Sequence, residues 1–173
     1  MKTQPYVLDR PTTLLADTAL TWSSGFLATL AITTIMYVMP AVGLPQVDLP
    51  IWAARVLVAG TVPAATVGMA VHLAVGLMLA WVYTLQVEPR LASGPGTSGL
   101  IYGAAIWAFA QVVAVPTLGA AAEAAGWVGT TPGVVAYRLG LGAALGSLVA
   151  HLAYGGTLGY VYGCRGGGRC RPR

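Results

Sequence analysis

Residues 62–86 read VPAATVGMAVHLAVGLMLAWVYTLQ, a run without a single Asp, Glu, Lys or Arg. A helix rises 1.5 Å per residue, so about 20 apolar residues cross the roughly 30 Å hydrocarbon core of a bilayer. The run predicts a membrane-spanning helix. Three further stretches share its character, at 22–44, 98–118 and 134–163. Gly94-Pro95-Gly96 breaks the chain between the second and third spans, and Thr131-Pro132-Gly133 precedes the fourth. The fold class expected is all-α, a four-helix transmembrane bundle.

Composition agrees. The chain has 173 residues, 57% of them hydrophobic and only 8% charged. A soluble domain carries about 25% charged residues. The mean hydropathy of +0.74 points the same way. Too little polar surface remains to coat a water-soluble globule, so the lipid bilayer is the first partner expected.

The net charge of +4 is not a nucleic-acid footprint, because four of the nine basic residues, Arg165, Arg169, Arg171 and Arg173, close the chain. A basic tail beside a membrane helix is first a topology signal. With four spans, the N-terminal tail, the 87–97 loop and the C-terminal tail share one side. That side holds Lys2, Arg10, Arg90 and the four tail arginines, and the other holds Arg55 and Arg138. Seven against two places both termini in the cytoplasm and the bundle in the cytoplasmic (inner) membrane.

Residues 1–21 contain Asp9 and Asp17 and lack a basic segment running into an apolar core, so they read as a retained tail rather than a cleaved signal. Within it, 11–21 suits a short interfacial helix. Residues 22–163 form the four-span domain, and 164–173 the basic C-terminal tail. Cys164 and Cys170, the only cysteines, lie in that tail. A reducing cytoplasm argues against a disulfide there, and two thiols are too few for a closed zinc site. The tail suits a palmitoyl group, a metal or simply a flexible end. Between the first two spans, Asp48 is placed to cap a short helix with Pro50 in its first turn. Residues 50–60 are too short to cross, so this helix is expected at the outer interface, anchored by Trp52 and Arg55.

The chain also repeats itself. HLAVGLMLAWVY at 72–83 and HLAYGGTLGYVY at 151–162 share seven of twelve positions. Ser24-Gly25 opens the first span and Ser98-Gly99 the third, and Pro40-x-x-Gly43 is echoed by Pro116-x-x-Gly119. The halves 22–86 and 98–163 are therefore expected to be two helical hairpins of parallel topology.

Four motifs carry a resemblance: LPQVDLP at 44–50; the histidine span ending in Val82-Tyr83; Gly99, Tyr102, Gly103, Trp107, Ala110, Gln111 and Pro116 at their spacing; and SLVAHLAYGGTLGYVYG at 147–163. Over about residues 24–163 the chain resembles an uncharacterised family of small four-helix prokaryotic integral membrane proteins, a domain of unknown function. The resemblance implies the fold and topology and no established activity. The arginine-rich tail with its two cysteines falls outside the family pattern.

His72 and His151 are the residues that stand out, since ionisable groups within spans are rare. By helical rise His72 lies about 15 Å inside its span and His151 about 18 Å from the end of its own. Gly68 and Gly76 flank the first at four-residue spacing, Ser147 and Gly155 the second. Two imidazoles at one depth are able to ligate a haem iron or share a metal. The plainer reading is hydrogen bonding across close helix contacts, the small residues Gly68, Gly76, Gly99, Gly103, Ser147, Gly155 and Gly159 serving packing. Gln111 lies near the same depth and needs a partner, for which His72 or His151 is placed. Thr29, Thr33 and Thr34 are expected to bond their own backbone. Kinks or helix ends account for Pro40 and Pro116.

With only five acidic residues, none within the four expected spans, no Ser/His/Asp set, carboxylate pair or zinc cluster assembles. The expected function is that of a non-enzymatic structural or accessory membrane component, packing against other membrane proteins or itself. A haem- or metal-binding electron-transfer subunit using His72 and His151 is the alternative. A small oligomeric transporter or channel is the third, weakened by the scarcity of charge in the spans.

The charge count makes a testable topology. A reporter fused after Arg173 should be active in the cytoplasm and one inserted near Gly126 active outside; the reverse pattern would refute the orientation.

Overall fold

The structure, a computed structural model, describes residues 14–58, 63–91 and 93–165. Among them are only helices and the turns that join them. Four helices are long and apolar enough to cross a membrane, spanning Asp17–Ala41, Ala64–Val87, Pro95–Ala124 and Leu141–Cys164. The chain is a membrane helical bundle by that measure.

Helix α1 runs unbroken over Leu14–Ala41. Residues 14–21, expected in the tail, are its first two turns, because nothing in LLADTALT breaks a helix that the following apolar run already propagates. Thr29, Thr33 and Thr34 donate to the carbonyls of Gly25, Thr29 and Leu30, so their hydroxyls stay satisfied away from water. Residues 1–13 and 166–173, which include Lys2, Arg10 and the last three arginines, lie outside the described residues.

Helix α2, Leu49–Leu57, starts where Asp48 accepts from the Ile51 N–H at 3.4 Å and Pro50 fills the first turn. It crosses both α3 (Ala64–Val82) and α5 (Val115–Ala124). Trp52 does not serve as an exposed anchor; it is 8% exposed and lies under Gly119. The sequence pattern leaves its direction open, and the bare surface of Gly119 supplies a site for the ring. Arg55 stacks over the Trp127 ring at 5.6 Å.

Two spans contain π-helical turns. Tyr83–Val87 extends α3, and Ala110–Ala114 joins α4 (Pro95–Phe109) to α5. The second has a local cause. Pro116 has no N–H for the Val112 carbonyl and its ring crowds it, so the ladder widens and Val115 donates to Ala110. The Gly-Pro-Gly break sits at a helix start, with Gly94 as cap and Pro95 in the first turn.

The fourth span is shorter than its apolar run. Residues Val134–Leu139 form a 3-10 segment, and Gly140, at φ +86°, separates it from α6, Leu141–Arg165. Val135 and Ala136 also adopt positive φ, held by the Ala136 N–H to Gly133 O and Arg138 N–H to Pro132 O bonds. Hydropathy does not register a left-handed glycine, so the run reads longer than the helix. Cys164 lies in the last turn of α6, and Cys170 lies outside the described residues.

Glycine draws α4 and α6 together. A Cβ on Gly155 would fall on the Gly99 carbonyl and 2.7 Å from the Gly103 nitrogen; one on Gly159 would lie 2.8 Å from the Gly99 Cα. The backbones touch with no side chain between them. α1 packs on both α6 and α3, so the order around the bundle is α3, α1, α6, α4. The core of Ala28, Ile32, Ala80, Tyr83, Tyr102, Ala150, Tyr154 and Leu158 fills its centre. α3 meets α4 mainly through the π turn after Val82, near the end of the bundle that carries the chain termini.

Gly155→Leu should therefore lower the stability measured by detergent-denaturant titration by about 1–3 kcal/mol or more, the scale of overpacking. Gly96→Leu, where a Cβ meets nothing within 4 Å, should change it by less than about 0.5 kcal/mol. Equal effects would remove the seam from its central place.

Candidate functional site

Because α3 and α4 diverge from the turn that joins them, a groove of about 590 Å³ lies between them. α1 and α6 form its floor and α2 reaches over its far end. The mouth is bordered by Val75, Met78, Val82, Ala105 and Phe109, all exposed on the apolar flank of the bundle. No Asp, Glu, Lys or Arg among the described residues lines it.

Two tyrosines hold its closed end. Tyr102 on α4 donates to the Leu79 carbonyl at 2.8 Å, and Tyr154 on α6 donates to the Gly76 carbonyl at 2.6 Å. Both carbonyls belong to α3, so the tyrosines pin it to its neighbours. The Tyr102 ring also packs against Tyr83 with centroids 5.3 Å apart.

His72, His151, Gln111 and Ser147 all line the groove. His72 Nε2 lies 3.1 Å from the Thr33 hydroxyl. That hydroxyl already donates to the Thr29 carbonyl at 2.6 Å. Its single proton is committed, so Nε2 of His72 carries the hydrogen and donates, and Nδ1 keeps the lone pair. His151 is the opposite tautomer. Its Nδ1 lies 2.7 Å from the Ser147 carbonyl, which only accepts, so Nδ1 donates and Nε2 keeps the lone pair. His72 also borders a small cleft of about 40 Å³ that runs past Thr33 to Gln46 and Asp48.

Gln111 sits in the π turn that Pro116 induces, and it is 2% exposed. Its partner is neither histidine. Its Nε2 donates to the Ser147 hydroxyl at 2.9 Å, while Oε1 is buried without a partner. The added residue of a π turn rotates the rest of the helix, so counting at 3.6 residues per turn misplaces this face. Ser147, expected only as a packing residue, thus links Gln111 through its hydroxyl and His151 through its carbonyl. The other small residues keep to packing. Gly68 lies against the Pro50 carbonyl, with 2.7 Å to a would-be Cβ, and Gly76 against Thr29; Gly99, Gly103, Gly155 and Gly159 form the α4–α6 seam.

The arrangement presents lone-pair acceptors to an uncharged, apolar groove. It is a poor cradle for haem: the Nε2 of His72 is committed to Thr33, and no cation among the described lining residues meets the carboxylates of the macrocycle. Among the described residues no three His, Cys, Asp or Glu side chains gather as a metal site. No family model, curated protein or solved structure matches the chain.

The His72–Thr33 bond is measurable. His72→Leu and Thr33→Val should each destabilise the bundle by about 1 kcal/mol, the scale of an interhelical hydrogen bond in a membrane. The double variant should lose less than the sum, by the coupling of a shared contact. Strict additivity in a double-mutant cycle would show that the two side chains do not interact.

Proposed function

We propose that this protein is a non-enzymatic accessory component of the cytoplasmic membrane that holds a lipophilic small molecule in its lateral groove. One observation carries the proposal: the groove of about 590 Å³ lies within the 300–1,000 Å³ range of small-molecule sites. It opens on a flank of exposed apolar residues, the surface a bilayer would cover. A lipophile enters from the side without crossing water. The electron-transfer alternative has less support, because one imidazole nitrogen suited to iron is held by Thr33 and the groove has no cation for haem carboxylates. A conducting pore has less support again, since no charge among the described residues lines the groove.

The orientation in this reading rests on the seven-to-two distribution of Lys and Arg, with both termini cytoplasmic. α2 then lies at the outer interface, where Arg55 and Trp127 stack. The chain is read as two parallel hairpins, and paired contacts support this. Gly25 lies against Ala80 as Gly99 lies against Gly159, and Thr29 lies against Gly76 as Gly103 lies against Gly155. In that register Thr33 corresponds to Trp107. Trp107 offers His151 no acceptor, which accounts for His151 turning to its own helix while His72 bonds across. The groove is where the symmetry breaks: α1 and α6 are in contact along the bundle, whereas the corresponding α4 and α3 separate.

Photolabelling tests the groove. A hexadecyl probe with a mid-chain diazirine, added to membranes containing the protein, should label half-buried floor residues such as Met36 and Ser147, which line the groove. Ala105→Trp, placed at the mouth, should abolish that labelling and leave labelling of Leu30 and Tyr160 intact. Labelling confined to the outer surface in both proteins would refute the proposal.

A further inference from the structure

The polar groups of the groove specify the head of the molecule it holds. Three acceptors on three helices lack a donor: Oε1 of Gln111, Nε2 of His151 and Nδ1 of His72. The first is a buried amide oxygen without a partner. The other two are set by the Thr33 and Ser147 bonds, each of which uses the opposite ring nitrogen as donor. Gln111 and His151 stand together because Ser147 bonds both. In an apolar groove an unpaired acceptor is costly, and a ligand that brings a hydrogen to it recovers that cost.

Charge narrows the class. The described lining residues include no Lys or Arg to pair with a phosphate or carboxylate, and no Asp or Glu to pair with an amine. A charged head would lose its hydration without gaining a counter-ion. An ester or ether head offers only further acceptors.

We infer that the groove takes a neutral lipophile headed by a hydroxyl group, which donates to the acceptor cluster of Gln111 and His151 while its apolar body lies between α3 and α4. The inference rests on the groove being a binding site, as proposed above. It adds that the site selects for a hydroxyl donor. Diacylglycerols, isoprenoid alcohols and quinols share this chemistry and differ in the body attached.

Binding to the full-length protein, delipidated in detergent, tests the head and the body separately. The probes are 1,2-dioctanoylglycerol, its 3-acetate, dioctanoyl phosphatidic acid, farnesol, farnesyl acetate and decylubiquinol, read by native mass spectrometry and thermal shift. Each free alcohol that fits should bind about tenfold more tightly than its acetate, the ratio one net hydrogen bond supplies, and phosphatidic acid should bind weakest. The order among dioctanoylglycerol, farnesol and decylubiquinol identifies the body. Gln111→Leu should reduce the preference for alcohol over acetate, and Gln111→Leu with His151→Leu should erase it, while the acetates bind as before; Gln111→Leu should fold, since it replaces an incompletely paired buried amide by an apolar side chain. Ser147→Ala, which releases the Gln111 amide, should weaken the preference. Acetates that bind as well as alcohols, tighter binding of phosphatidic acid, or an unchanged preference in Gln111→Leu would each overturn the inference and leave the groove as a lipophile site. If no probe binds at all, the groove reading itself falls, and the inference with it.

Discussion

The contact on which the rest of the structure depends is the side-chain-free meeting of α4 and α6. Gly99, Gly103, Gly155 and Gly159 bring two backbones together at distances that leave no room for a Cβ. In lipid there is no hydrophobic gain from hiding one leucine behind another, so close packing of small residues is what holds helices to each other. Once α6 is held to α4 on one side and packs on α1 on the other, α3 has no long surface left to share with α4. Tyr102 and Tyr154 tie it down at one level through the Leu79 and Gly76 carbonyls. Beyond that level the two helices part. The groove is the consequence of a tight seam elsewhere in the bundle.

Polar atoms obey the same logic. Hydrocarbon supplies no hydrogen bonds, so each polar group in a span must find a partner in protein. Thr29 and Thr34 do so within their own helix, and Tyr102 and Tyr154 do so across helices. Thr33 does both, giving its proton to Thr29 and its lone pair to His72. That double use selects the tautomer of His72, just as the Ser147 carbonyl selects the other tautomer of His151. The amide oxygen of Gln111 is left over beside the groove, at a π turn, where the regular ladder has already been given up to accommodate Pro116. At Gln111 an irregular turn and an unpaired amide oxygen coincide on the concave surface, while a second buried orphan, the Trp107 indole N–H, lies off it.

Much of this was open to reading from the residues. Long runs without charge located four helices, because transfer into lipid depends on the sum over a segment and hardly on its neighbours. Asp48 and Pro50 marked the start of α2 for equally local reasons. The failures have local causes too. A positive φ at Gly140 ends the fourth helix within an apolar run, and a π turn shifts the face of Gln111 away from where a regular helix would put it. Trp52 shows the third kind of failure, since whether an aromatic ring meets lipid or Gly119 depends on a glycine 67 positions later in the chain.

By itself, the sequence determined that this is a membrane helical bundle, where its four long helices lie to within about two turns at each end, and that two histidines and a glutamine lie deep within them. These properties depend on composition, length and rise along an axis. Only the tertiary structure decided that Gln111 meets Ser147 instead of a histidine, that each histidine keeps a different nitrogen free, and that α3 and α4 separate to form a groove. Those outcomes depend on the rotation of each helix about its axis and on the distance at which helices meet. Both are set jointly by the glycine seam, the tyrosine bonds and the π turn, and no single segment carries that information.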